Sequence, residues 1–145
     1  MVTSAQANTI LNEPKMIGAN LVWKVQRGSY RLEATVLATI SGEILSLRGT
    51  VGPKNRSFAL LWKNTPIRKY TVHERHRDPV TKQSITGPHK HTWDDLWEDQ
   101  RAYVPKDIRI GDPNEELMDF LAECAITLRG TYQRQTFFLN KSGGA

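Results

Sequence analysis

A single cysteine, Cys124, stands in the whole chain, which excludes an internal disulfide framework and any CxxC zinc module. Apolar residues never reach the roughly 18 in a row that a membrane span needs. No charged stretch followed by an apolar one opens the sequence, so no secretory signal is expected and the default location is cytoplasmic. An HExxH helix, a nucleophile elbow and a phosphate-binding loop leading into a helix are also lacking. Internal repeats, coiled-coil heptads and low-complexity tracts are absent.

What is present is ordinary in amount and uneven in placement. The 145 residues, 39% hydrophobic and 24% charged, suit one soluble domain with its own core. The net charge is +5. Between Arg48 and His91 ten basic residues face only Glu74 and Asp78, so this stretch carries +8 and the remainder −3. Clustered positive charge favours polyanions, or a complementary acidic protein surface. The bland alternative is a solvated basic face kept for solubility.

Residues 1–19 read as a flexible N-terminal segment, polar and interrupted by Pro14 and Gly18. A single α+β domain is expected over 20–139, and a flexible tail over 140–145. Leu21 to Val25 suggests a first strand ended by Arg27-Gly28-Ser29. Leu32, Ala34, Val36, Ala38 and Ile40 alternate with polar residues, and Leu45, Leu47 and Val51 continue the pattern. Ser57 to Trp62 is apolar on both faces, the pattern of a central strand covered twice. Turn signals about every ten residues predict an antiparallel meander, as an open sheet or a partly closed barrel.

Asp112-Pro113-Asn114-Glu115-Glu116 is a helix start, with a capping carboxylate, proline at the first position and acids at the positive end of the dipole. Leu117, Phe120, Leu121 and Cys124 then form an apolar stripe. One C-terminal helix packed on the sheet follows, and Cys124 belongs to the core side of it. Alternation from Ile126 to Phe138 predicts a last strand.

All four histidines lie between Lys69 and Trp93, on a segment that reads as a β-hairpin turning at Asp78-Pro79. His89 and His91, two apart, share a face of their strand. A three-residue loop pairing Asp78 with Lys82 brings His73 and Arg75 to that face. A four-residue loop pairing Asp78 with Gln83 brings His76 there instead. Either register gathers three imidazoles.

Two chemistries use such a set. In the leading reading, histidines act as general acid and base on RNA, with no cofactor required. His73, His89, His91 and Arg75 form the catalytic set, and Arg68, Lys69, Arg77, Lys82 and Lys90 hold the nucleic acid. In the alternative, His73, His76, His89 and His91 supply ligands to Zn2+, with water or a carboxylate completing the site. The bland reading makes all four structural or surface residues. The run from Trp93 to Asp99 reads as a connector anchored by its tryptophans, with Asp94, Asp95 or Asp99 available to orient a histidine.

The stretches His73-x-x-His76, Pro88-His89-x-His91-x-Trp93, Trp97-x-Asp99-x-x-Ala102-Tyr103 and the helix E-E-L-M-D-F-L-x-E-C resemble a family of small bacterial and phage-associated proteins of unknown function. The resemblance spans roughly residues 68–126. It implies a short stand-alone domain in a mobile-genetic-element setting, with no catalytic residue to carry over. From that setting follow two expectations: a toxin-like endoribonuclease with a cognate antitoxin, or a metal-binding inhibitor that docks on a host defence nuclease such as a CRISPR effector. Partners are therefore RNA or a nucleic-acid-binding protein, and no membrane.

Overall fold

Period-two alternation becomes an antiparallel sheet whose strands follow one another with tight turns. The computed structural model describes residues 2–53, 55–72, 76–77, 84–85, 89–94, 98–103, 108 and 111–138. Helix α1 (Ser4–Asn12) leads into β1 (Lys15–Ile17), β2 (Lys24–Gln26), β3 (Ser29–Ala38), β4 (Ile44–Val51), β5 (Arg56–Trp62) and β6 (Thr65–Val72). The short pair β7 (His76–Arg77) and β8 (Ser84–Ile85) precedes β9 (His89–Asp94) and β10 (Glu98–Tyr103). Helix α2 (Pro113–Glu123) and β11 (Ile126–Leu128) complete the order.

Nine strands form one sheet in the order β10-β9-β6-β5-β4-β3-β1-β11, with β2 also paired to β3. The sheet is open, which decides between the two forms left by the sequence. Among the described residues, every pairing between these strands is antiparallel except β1 with β11. Two hairpins close with paired left-handed residues, Arg27-Gly28 and Lys63-Asn64, at φ 51°, 78°, 52° and 59°. Such turns match the twist of the strands they join. Ile67 falls at a register shift between β5 and β6 and is buried.

One face holds the core. Leu32, Val36, Leu45, Leu47, Phe58 and Leu60 are buried there with α2, whose Phe120 ring lies 6.1 Å from that of Phe58. Helix α2 starts as its sequence predicts: Asp112 accepts from the Asn114 amide at 2.9 Å, and Pro113 occupies the first turn. Cys124 is buried, and burial pushes its thiol up. The central strand β5 is covered once, not twice, since Ala59 and Leu61 alternate half-buried with buried Phe58, Leu60 and Trp62.

The N-terminal segment is a second correction. Thr3 caps α1 in a reciprocal box with Gln6, and Ala7, Ile10 and Leu11 are buried. Pro14 sits between two elements and breaks neither. The Lys15 ammonium donates to the carbonyls of Leu11, Glu13 and Cys124, each at 2.7 Å, tying the C-terminal ends of both helices to β1. Burial holds this amino group down to about 8. The sheet therefore carries two helices where the sequence predicted one. Past β11, among the described residues, the chain makes a single bridge, Tyr132 to Leu21, so the last strand stops well short of Phe138.

Candidate functional site

Cross-strand register fixes which side chains share a face. On the α2 side, Gly49 lies opposite Phe58, Phe58 opposite Tyr70, and Tyr70 opposite Lys90. On the other side run two rows. The first is Arg31, Thr50, Ser57, Thr71 and His89; the second is Glu33, Arg48, Ala59, Lys69 and His91. Lys24 of β2 extends the first row beside Arg31. Among the described residues, no helix covers this second face between β2 and β5.

That geometry separates the hairpin residues the sequence had grouped. His89 and His91 do share a side of β9, opposite Thr71 and Lys69. Arg68 and Lys90 point the other way and are taken up beneath α2. Arg68 reaches the Glu123 carboxylate at 2.6 Å and Lys90 reaches the same oxygen at 2.9 Å. The Lys90 side chain is only 4% exposed. Both were expected to hold phosphate. Both are instead held against the same helix carboxylate, largely away from solvent.

A second ion pair lies alongside. Arg56 and the Tyr70 hydroxyl both donate to Glu116, which is fully buried on α2. Burial, with the Glu116 carboxylate beside it, pushes the Tyr70 phenol up and keeps it a donor. The basic excess of 48–91 is thus partly spent on three cations under one acidic helix. The sequence counted these charges correctly and could not see their partners 33 to 60 positions away.

His91 is 5% exposed and Thr71 1%, so the second face closes toward β9. His91 is therefore set back from solvent, unlike the exposed polar residues of β3 and β4 on the same face. Lys69 is half-buried. His73, Arg75 and Lys82 lie outside the described residues. His76 and Arg77 lie on β7, whose register bears on the turn. The β6–β9 pairing continues the one that joins Asp78 to Lys82, whereas His76 opposite Ile85 and Arg77 opposite Ser84 follow the one-residue-shifted alternative. Both registers occur, one in each part of the hairpin. Among the described residues no group of three metal-ligating side chains is found.

The residues that sequence reasoning passed over lie on the open half of the second face. Arg31 and Arg48 are exposed on neighbouring strands, Lys24 is exposed beside Arg31, and Glu33 is the one acid of these rows. Arg48 and Glu33 stand 4.0 Å apart with both side chains more than half exposed, a pairing of little energetic weight. Period two was the available signal: Arg31 and Glu33, like Arg48 and Thr50, are the polar phases of strands whose apolar phases were recognised.

No helix among the described residues is long and apolar enough to cross a membrane. Comparison with protein-family models, with curated proteins and with solved structures gives no significant match to this chain.

Proposed function

We propose that this chain is an RNA-directed protein, with phosphodiester cleavage at the β9 end of the sheet as its chemistry. One observation carries the reading: His89 and His91 share a face with Thr71 and Lys69, at the end of two cross-strand rows, one running through Thr71, Ser57 and Thr50 to exposed Arg31 and the other through Lys69 and Ala59 to exposed Arg48. In the cleavage step the 2′-hydroxyl loses its proton to a base and attacks phosphorus. The P–O5′ bond breaks, and an acid protonates the leaving oxygen. His89 is assigned one of these roles, with His73 as the other group and Arg75 stabilising the phosphorane. His91, being buried, orients and does not react.

The test is RNA incubated with the purified chain and EDTA. Cleavage to a 2′,3′-cyclic phosphate end, lost in His89→Ala and retained with chelator, supports the reading. Intact RNA, or cleavage indifferent to His89, removes it. A small-toxin role with a cognate antitoxin rests on that activity.

The burial of His91 two residues from His89 favours a second reading. Here His73, His76, His89 and His91 contribute to a structural Zn2+ site, and the protein docks on a host defence nuclease without catalysis. Stoichiometric zinc in protein purified without a histidine tag, lost in His89→Ala, supports this one.

A further inference from the structure

We infer that the helix-free face between β2 and β5 binds single-stranded RNA through its phosphodiester backbone, with Arg31 and Arg48 as the principal contacts. The inference rests on the RNA-directed reading and moves the nucleic-acid site away from the hairpin cations, since Arg68 and Lys90 are paired to Glu123.

Charge complementarity names the occupant. Among the described residues of these rows, four cations, Lys24, Arg31, Arg48 and Lys69, project on this side against the single acid Glu33. Thr50 and Ser57, opposite one another and half-buried, supply hydroxyl donors between the cations. Neighbouring strands are about 4.8 Å apart, so the path from β2 to β5 crosses three intervals, or roughly 14 Å. A flexible single strand can follow that row. A duplex meets, among the described residues of this face between β2 and β5, no helix to enter a groove.

Composition of the face sets the mode of binding. No Phe, Tyr or Trp occupies these rows among the described residues; Trp23, Tyr30 and Phe58 all belong to the core cluster. Base stacking on aromatics is what lets many single-strand binders gain affinity independently of salt. Without it, contacts to phosphate dominate, so binding here is tolerant of sequence and falls steeply with salt.

The experiment is fluorescence anisotropy of a short mixed-sequence RNA at increasing KCl. Wild type is compared with Arg31→Glu/Arg48→Glu and with Lys63→Glu. Lys63 lies in the β5–β6 turn with its ammonium 4.7 Å from the Trp62 ring centroid, off the proposed path. The double variant changes exposed residues and its fold is checked by circular dichroism. The expected result is at least about a tenfold loss of affinity in the double variant, with a log–log salt slope shallower by about 2 and little change for Lys63→Glu. RNA bound equally well by the double variant overturns the surface and leaves the RNA-directed reading standing. No RNA binding by wild type overturns both. Tighter binding of duplex, of single-stranded DNA or of polyglutamate through the same arginines overturns the assignment of the occupant.

Discussion

Lys90 on β9 and Glu123 on α2 meet at 2.9 Å beneath the helix, and Arg68 shares the same carboxylate oxygen. Both cations reach one Glu123 oxygen in a nearly dry site, which gives this carboxylate a large structural role. Removing it takes the shared carboxylate away from two buried cations. Glu123→Ala is expected to cost about 3–5 kcal/mol, whereas replacing all three residues by methionine costs less, because the two cations leave together with the carboxylate they share. Urea unfolding of the two variants checks this. Equal losses would contradict it.

Acid stability follows from two carboxylates held below their ordinary values. Burial raises both, and hydrogen bonds outweigh it: Asn114 and Arg134 at Asp112, Ser41 and Ile40 at Glu13. A depressed folded pKa means that the unfolded chain takes up protons first as pH falls. The stabilisation is complete above the ordinary carboxylate value of about 4 and is lost below it. Asp112→Asn keeps a capping side chain and removes the titration. Its melting temperature is therefore expected to fall less than that of wild type between about pH 5 and pH 2. Parallel curves would contradict the assignment.

Gly49 brings β4 close against the aromatic core. A Cβ there meets the Trp23 ring at 2.9 Å and Phe58 at 3.3 Å. Trp23 is held by its indole N–H to the Tyr132 hydroxyl at 2.8 Å, so it has little room to retreat. Gly49→Ala is expected to destabilise by about 1–3 kcal/mol through overpacking. An unchanged denaturation midpoint would show that Trp23 yields.

The two histidines of β9 are expected to divide. His91→Ala empties a buried position and lowers stability by about 1–3 kcal/mol while leaving RNA affinity within about threefold of wild type. His89→Ala abolishes cleavage with affinity preserved. If both variants instead lose stability together, and the loss is reproduced by chelation, the zinc reading takes over. Thermal melts with and without EDTA, run beside the cleavage assay, separate these outcomes.

The strands were legible because Leu32, Val36, Leu45 and Leu47 alternate with polar neighbours, and α2 because Asp112-Pro113 announces its start. α1 carried a signal too: Thr3 and Gln6 have the spacing of a capping box, passed over because the surrounding residues are polar. β1 was invisible for a different reason. Three residues become a strand only because Ala38 on one side and Ile126 on the other pair with Lys15. Arg68 and Lys90 were counted as free cations, since nothing local links them to Glu123. Sheet register decided the candidate site. The hairpin adopts one pairing near β9 and its one-residue neighbour near β7, a shift that pattern alone does not fix.

Amide NMR of the isotope-labelled chain, titrated with single-stranded RNA, asks most directly where a polyanion settles. Shifts are expected to concentrate at Arg31, Glu33, Arg48 and Thr50 and to fade toward buried His91. Perturbation confined to α2 and the strands beneath it, or a spectrum unmoved by RNA, would contradict that placement.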